Sequence, residues 1–173
     1  MKIQGNTVLI TGGGSGIGLA LAKVFLDYQN KVIIVGRDDQ KLASAKQQFP
    51  ELNTITADIT NENDRQRLAA EVRECYSDLN ILVNNAGVAF FYDLQSGSNC
   101  YELFRLEVET NYLAPARLIE LFRERLQGQL SSAVINISTI AAYLPLTVMP
   151  GYSASKSALH SYSNSLRQQL TDS

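Results

Sequence analysis

Short apolar runs alternate with longer amphipathic segments along the whole chain. The runs are rich in Val and Ile and lack polar alternation, which is typical of strands buried on both faces of a sheet. The predicted strands are "TVLIT" (7–11), "KVIIVG" (31–36), "LNTITA" (52–57), "ILVNN" (81–85) and "AVINIS" (133–138). The amphipathic segments predict helices at 16–28, 39–48, 61–76, 99–127 and 151–170. The stretch "LQSGSNC" (94–100) is the most loop-like part of the chain.

This alternation of strands and helices predicts an α/β fold, a Rossmann-type doubly wound parallel sheet with helices on both faces. Right-handed crossovers place the carboxyl ends of all strands along one edge, and ligands bind where the strand order reverses. We expect that point between the first and fourth strands. Asp38, Thr60 and Asn61 are the candidate N-caps of the second and third helices. The length of 173 residues suits a single domain over 1–173.

Composition narrows the class of function. Hydrophobic residues make up 45% of the chain and charged residues 18%, and the net charge is -2. The sequence has no basic stripe, so we predict no nucleic-acid partner. It has no apolar run near the roughly 20 residues that span a bilayer, so we predict no membrane partner. Cys75 and Cys100 are isolated thiols without metal-ligand spacing, so we predict no metal site and a reducing, cytoplasmic location.

A glycine-rich loop follows the first predicted strand. The stretch "TGGGSGIG" (11–18) places Gly12, Gly16 and Gly18 in the spacing G-x-x-x-G-x-G. Glycines permit a tight turn and let the backbone approach a pyrophosphate. The helix that follows directs free N–H groups and its positive dipole end at that phosphate. The loop therefore predicts a dinucleotide site.

The end of the second predicted strand bears on which dinucleotide is bound. An acidic residue there would accept hydrogen bonds from the adenosine ribose, but this chain has Gly36 followed by Arg37. A small residue leaves room, and a guanidinium suits a phosphate. These residues favour NADP, with NAD as the alternative. Asp38 and Asp39, the next two residues, act against a phosphate at this position.

Tyr152 and Lys156 are four residues apart on the last predicted helix, so they share one face. A nearby ammonium favours the phenolate form of a tyrosine, which suits a group that must both give and take a proton. Ser138 and Thr139 precede them at the end of the fifth predicted strand. Pro115 follows Asn111 by four residues and has no N–H for the carbonyl of Asn111, which we expect to hold a water in a proton path with Lys156.

Three motifs in order give the chain its resemblance to a known family. They are "TGGGSGIG" (11–18), "NNAG" (84–87) and Tyr152-x-x-x-Lys156, and with them the chain resembles the short-chain dehydrogenase/reductase family from residue 5 onward. The tail "VMPGYSASKSALHSYSNSLRQQL" (148–170) is similar to a bacterial branch of these oxidoreductases. Family members usually continue with two more strands, so the resemblance implies that the C-terminal strands are missing here.

The resemblance also implies roles by position. The pyrophosphate would be held by Gly12, Ser15, Gly16, Ile17 and Gly18, the adenine by Asp58 and Ile59, and the rest of the cofactor by Asn85, Ala86, Gly87, Tyr152 and Lys156. Asn111, Tyr152 and Lys156 match the catalytic positions. The family's serine usually lies 13 residues before its tyrosine, which points to Thr139 rather than Ser138.

The resulting prediction is a cytoplasmic, NADP-preferring oxidoreductase that transfers a hydride between a nicotinamide and a small carbonyl or alcohol substrate. The apolar stretch 140–151 indicates a substrate with an apolar portion. The resemblance implies a homodimer or homotetramer built on the helices at 99–127 and 151–170, whose outer faces are expected to carry Leu103, Phe104, Leu118 and Phe122. The alternatives are a non-catalytic nucleotide-binding protein or inactive fragment and, third, an epimerase or dehydratase, whose usual G-x-x-G-x-x-G loop this chain lacks.

Overall fold

The computed structural model describes residues 2–93, 95 and 100–171. The first half contains β1 (Thr7–Thr11), α1 (Gly16–Asp27), β2 (Lys31–Gly36), α2 (Asp39–Gln48), β3 (Asn53–Thr56), α3 (Glu62–Cys75) and β4 (Leu79–Asn84). The second half contains α4 (Cys100–Val108), a π-helical turn (Glu109–Leu113), α5 (Ala114–Gln127), β5 (Ala133–Asn136), a 3₁₀ turn (Ile140–Ala142) and α6 (Pro150–Thr171).

The five strands form one parallel sheet in the order β3-β2-β1-β4-β5. β1 lies at the centre and pairs with β2 from Thr7↔Lys31 to Thr11↔Val35. The central residues of β1, β2 and β4 are apolar and almost completely buried, which explains why these strands show no polar alternation in the sequence. β1 and β4 are neighbours although β2 and β3 come between them in sequence, so the strand order reverses there. The predicted Rossmann-type fold is confirmed.

By internal contacts the chain divides into two compact units. Unit 1 consists of residues 1–86 and 117–135, and contains β1 to β4, the three helices between them, and most of α5 and β5. Unit 2 consists of residues 87–116 and 136–173, and contains α4, the π-helical turn, the 3₁₀ turn and α6.

Two of the three candidate N-caps are confirmed. The Asp38 side chain accepts from the backbone N–H groups of Gln40 and Lys41 at the start of α2. Asn61 caps α3 by accepting from the N–H of Asp64. Thr60 is not a cap, because its N–H and its hydroxyl both donate to Oδ1 of Asp58 in the turn before the helix.

The predicted bounds of the strands agree with the structure to within two residues, and two differences bear on the candidate site. β5 ends at Asn136, two residues short of the predicted end, so strand alternation does not extend to Ser138 and Thr139. The single helix predicted at 99–127 is divided by the π-helical turn at Glu109–Leu113, which ends just before Pro115. Because Pro115 has no N–H and its ring collides with the carbonyl four residues earlier, an uninterrupted α-helix is disfavoured there. Residue 99, the predicted helix start, and residues 94 and 96–99 of the predicted loop lie outside the described residues.

The prediction that Leu118 and Phe122 lie on an outer helix face is wrong. Both are buried within unit 1, with exposed fractions of 0% and 2%. The large apolar side chains that are exposed on the helices of unit 2 include Tyr101 and Phe104, whereas Leu103 is half-buried. In residues 2–93, 95 and 100–171, no helix combines the length and the apolar character needed to cross a membrane.

Candidate active site

In unit 1, the carboxyl ends of β1 and β4 are held together by side chains. The hydroxyl of Thr11 accepts from the backbone N–H groups of Asn85 (3.0 Å) and Ala86 (3.1 Å). The Asn85 amide donates to the carbonyl oxygens of Thr11 (2.9 Å) and Gly12 (3.3 Å). These four bonds fix the start of the glycine loop. The Asn85 side chain therefore supports the loop, while Ala86 lies against Gly12.

Two of the loop glycines are required for different reasons. A Cβ on Gly18 would lie 2.3 Å from the carbonyl oxygen of Gly12, so only glycine permits this close approach. Gly16 has a φ of +54°, in the left-handed region that other residues rarely adopt, and a Cβ there would meet nothing within 4 Å. The backbone at Gly16 is therefore open to a ligand.

The start of α1 fits an anionic ligand. Ser15 is the N-cap, but its side chain makes no cap hydrogen bond, and the first turn of the helix has no acidic residue. Ile17, the next residue but one, is 66% exposed. The N–H groups and the positive dipole end of a 12-residue helix are thus presented beside an open glycine. The predicted pyrophosphate residues therefore lie at the N-terminus of a helix, a position at which anions bind in other proteins.

A polar cavity lies beyond the carboxyl end of β2 in unit 1. Its lining residues are Arg37, Asp38, Asp39, Gln40, Thr56, Asp58 and Asp64. Arg37 is exposed and forms no ion pair within the part of the chain that the structure describes. Ile59, a predicted adenine contact, is only 7% exposed, so little of its side chain is available to a ligand.

In unit 2, the Asn111 side chain lies in the π-helical turn and is completely buried. Its Oδ1 accepts from the N–H of Val88 (2.8 Å), and its Nδ2 donates to the carbonyl of Val88 (2.8 Å) and to Oγ of Ser155 (3.0 Å). A Cβ on Gly87 would lie 3.0 Å from Oδ1 of Asn111 and 3.6 Å from Nζ of Lys156. Gly87, Asn111 and Lys156, three predicted site residues, are therefore brought together.

Lys156 is a buried cation on α6. Its Nζ donates to the carbonyl oxygen of Ile137 at 2.8 Å, and only 5% of the residue is exposed. Burial lowers the pKa of Lys156 because it disfavours the charged form of the amine. Tyr152, one turn earlier, is half-buried, and its hydroxyl forms no hydrogen bond with the residues that the structure describes. The phenol is thus available to a ligand.

The two hydroxyls before α6 differ in their surroundings. Thr139 is half-buried and caps the 3₁₀ turn, where its Oγ1 accepts from the N–H of Ala141 at 3.3 Å. Ser138 is exposed and has no hydrogen bond within residues 2–93, 95 and 100–171. Because Thr139 accepts in its cap bond, its own O–H remains able to donate to another oxygen.

Sequence analysis missed Ser155. Its hydroxyl accepts from the Asn111 amide and donates to the carbonyl of Tyr152 at 2.8 Å, so it joins two of the predicted catalytic residues. The residue lies three places after Tyr152, and a helical serine three residues after a site residue is too common to be singled out by spacing. Ser155 is almost fully buried, at 1% exposed.

Comparison with known proteins identifies the chain's relatives. The family model for short chain dehydrogenases matches residues 6–173. The uncharacterized oxidoreductase DltE of Bacillus subtilis is 44% identical over 172 residues, which cover 99% of this chain and 68% of DltE. The similarity to the bacterial oxidoreductase branch is confirmed.

Solved structures agree with this match. A short chain dehydrogenase/reductase from Burkholderia phymatum, in complex with NAD, is 26% identical with a TM-score of 0.92, over 99% of this chain and 62% of that one. L-Sorbose reductase from Gluconobacter frateurii, complexed with NADPH and L-sorbose, is 27% identical with a TM-score of 0.90, over 99% of this chain and 66% of that one. This chain thus spans a little under two thirds of either solved relative. With the motif order, the fold and the family match in agreement, the chain belongs to the short-chain dehydrogenase/reductase family of oxidoreductases.

Proposed function

We propose that the chain catalyses reversible hydride transfer between a nicotinamide cofactor and a small carbonyl or alcohol substrate, with Tyr152 as the general acid and base. The observation that carries the proposal is that the Tyr152 phenol has no hydrogen bond among the described residues and stands one helical turn before the buried amine of Lys156. When bound, the nicotinamide supplies or accepts the hydride. The residues of the chain bind the cofactor, orient the substrate and transfer the proton.

Tyr152 gives its proton to the carbonyl oxygen in reduction and takes it back in oxidation. Lys156 follows Tyr152 by one helical turn on α6, so its amine can face the phenol from which the proton leaves. The carbonyl of Ile137 holds Nζ in place at 2.8 Å. Thr139 supplies a second donor to the substrate oxygen. In unit 1, the loop residues Gly16 and Ser15 bind the cofactor's pyrophosphate with backbone N–H groups.

Asn111 has a supporting role in this proposal. Its side chain is fully used by Val88 and Ser155, so it positions its neighbours rather than contacting the substrate. Pro115 gives no N–H to the Asn111 carbonyl, and that carbonyl can hold a water which returns protons to Lys156. A proton lost by Tyr152 would then be replaced from solvent by this path.

The direct experiment is a spectrophotometric panel of aldehydes and ketones with NADPH and NADH, on the purified chain. The panel should extend to substrates with apolar tails, because Tyr143, Leu144 and Val148 are 62%, 65% and 56% exposed shortly before α6. Oxidation of the reduced cofactor that depends on a carbonyl substrate would support the proposal. Cofactor binding without turnover across the panel would favour a nucleotide-binding protein instead.

Within this function we infer a preference for NADP. Each of the four carboxylates that line the Arg37 cavity has a hydrogen-bond or ion-pair partner other than Arg37. Asp38 caps α2, Asp39 accepts from the hydroxyl of Thr56, Asp58 accepts from Thr60, and Asp64 pairs with Arg67 at 2.8 Å. Arg37 has no ion pair within the described residues, which suits it to the 2′-phosphate of NADP, whereas Asp39 and Asp58 have hydroxyl partners only and their charges oppose a phosphate there.

NADPH is therefore expected to bind more tightly than NADH, and Arg37→Ala should remove most of the difference. A charge-assisted contact of about 1.5–3 kcal/mol corresponds to a preference of roughly ten- to hundredfold. Titration of both cofactors by their fluorescence, in the wild type and the variant, measures it. Arg73→Ala is the matched control, because it removes an exposed guanidinium from α3 without touching the cavity. Equal affinities in the wild type would contradict the inference.

Gly36→Asp gives the converse test. A Cβ at Gly36 would make only ordinary contact with Leu42, at 3.5 Å, so the strand end accommodates a side chain. A carboxylate there repels a 2′-phosphate and accepts from a free ribose hydroxyl. The preference should move toward NADH, and an unchanged ratio of affinities would place the adenosine elsewhere.

We also propose that the protein is a homodimer or homotetramer, as the resemblance implies, although Leu118 and Phe122 no longer support it. The exposed apolar residues of unit 2, Tyr101 at 68% and Phe104 at 38%, lie on α4 and suit an interface. Light scattering at micromolar concentration should give at least twice the chain mass of 19.1 kDa. Phe104→Glu should shift the protein toward monomer, and a monomeric wild type would contradict the proposal.

A further inference from the structure

A buried glutamate in unit 2 takes no part in the proposed proton transfer. Glu107, on α4, is completely buried and has no cationic partner among the described residues. Its Oε1 accepts from the N–H of Phe90 at 2.8 Å, and its Oε2 lies 3.5 Å from Oη of Tyr92. Burial raises the pKa of Glu107, and the bonds from Phe90 and Tyr92 act in the opposite direction. Burial of a carboxyl without a cation costs free energy, and the hydrogen bonds from Phe90 and Tyr92 offset part of that cost.

Tyr92 connects this carboxyl to the start of α6. Its Oη accepts from the backbone N–H of Gly151 at 2.9 Å and can donate to Oε2 of Glu107 at 3.5 Å. Pro150 is the first residue of α6 and has no N–H, so the first N–H of the helix belongs to Gly151. This N–H has no intrahelical acceptor. Tyr92 supplies that acceptor from a distant part of the chain.

The position of Gly151 has no room for a side chain beside Tyr92 and Glu107. A Cβ there would lie 2.2 Å from Oε2 of Glu107 and 2.3 Å from Oη of Tyr92, so both oxygens occupy the space that a side chain would fill. The residue itself is buried. The next residue is Tyr152, so whatever fixes Gly151 also fixes the backbone that carries the proposed proton donor.

We propose that Tyr92 and Glu107 are positioning residues, which lock the first turn of α6 and thereby set the position of the Tyr152 phenol. The inference rests on the proposed function. Glu107 orients the hydroxyl of Tyr92, and Tyr92 in turn holds the N–H of Gly151. Neither side chain needs to touch the substrate for this role.

Tyr92→Phe tests the role. The variant keeps the ring and removes the acceptor of the Gly151 N–H, so kcat should fall about ten- to hundredfold, as for a small displacement of a reacting group. The KM of the cofactor should change less than kcat, because most of the proposed cofactor contacts, from Gly12 to Gly18, belong to another segment of the chain. Tyr28→Phe is the matched control, since it makes the same chemical change at an exposed residue of unit 1 and should leave kcat unchanged.

Amide hydrogen exchange gives a readout that does not depend on turnover. The Gly151 amide should be protected in the wild type, and Tyr92→Phe should speed its exchange at least tenfold, while amides in the middle of α6 are unaffected. Glu107→Gln, a milder change, should shift both readouts in the same direction. The double variant should cost little more than Tyr92→Phe alone, because the two side chains act as one unit.

The outcomes separate the inference from the function on which it rests. No carbonyl-dependent turnover in the wild type would refute the proposed function and any catalytic role of Tyr92 with it. Wild-type turnover that Tyr92→Phe and Glu107→Gln leave unchanged, even with a lowered Tm, would refute only the inference and make the pair purely structural. An unprotected Gly151 amide in the wild type would also overturn it.

Discussion

Replacing Tyr152 with phenylalanine is expected to remove measurable turnover while cofactor binding stays within about twofold. The ring remains, so the packing of α6 is preserved, but the proposed proton donor at the carbonyl oxygen is lost. General acid–base catalysis contributes roughly 10²–10⁴-fold, and here no other described side chain offers a phenol at this position. The measurement is kcat with the best carbonyl substrate of the panel, together with cofactor titration by fluorescence.

Tyr162→Phe is the control for this change. It removes a phenol hydroxyl from the same helix, ten residues later, where the ring packs edge-on against Tyr112 with centroids 6.0 Å apart. We expect it to alter kcat by less than about threefold, the size of a modest local rearrangement. If Tyr152→Phe retained more than about a tenth of wild-type turnover, the proton would come from another group, and the proposed mechanism would be wrong.

The sheet could be predicted because its strands are buried on both faces. β1 and β2 have the bounds that their apolar runs indicate, and α2 begins where Asp38 can cap it. In each case one local property determines where the element begins or ends. For the strands it is continuous burial, and for α2 it is a cap with its two N–H donors. The order of the strands is expected from the Rossmann-type fold rather than from any single residue, since the chirality of the crossovers alone also permits other orders.

The π-helical turn could not be predicted by amphipathic periodicity, because it adds one residue to a segment that otherwise has a helical pattern. The side of α5 that is buried is likewise a tertiary property: Leu118 and Phe122 are buried in unit 1. Pro115 was the only local signal.

The residues of the candidate site differ in how far the sequence identifies them. Tyr152 and Lys156 are placed together by helical spacing alone. The burial of Lys156 is a tertiary property. So is its hydrogen bond to the carbonyl of Ile137, 19 residues earlier. Tyr92 and Glu107 have no motif, and the bond between Tyr92 and Gly151 joins residues 59 apart in sequence. Such long-range polar pairs become visible only when the chain is folded.

Thr139→Ala is expected to lower kcat about a hundred- to thousandfold, while Ser138→Ala changes it little. Loss of one donor aimed at a developing oxyanion costs about 2.7–4 kcal/mol in other enzymes. The bond from the Ala141 N–H, 3.3 Å long, holds the Thr139 oxygen in place, and its O–H remains able to donate to the substrate. Ser138 is exposed and has no such bond in the described part of the chain. The measurement is kcat for both variants, with NADPH titration to show that binding is intact.

Thr139→Ser distinguishes the catalytic effect of the hydroxyl from its effect on stability. Alanine at this position also removes a cap worth about 1 kcal/mol, so part of its effect on activity at high temperature would come from stability. Serine keeps both the cap and the donor and removes only the methyl group, which frees the rotamer. Turnover of Thr139→Ser should therefore equal or exceed that of the wild type, with Tm within a few degrees. If Ser138→Ala were the damaging change and Thr139→Ala were silent, the exposed hydroxyl of Ser138 would be the one that faces the substrate, and the spacing of 13 residues to Tyr152 would have no catalytic meaning in this chain.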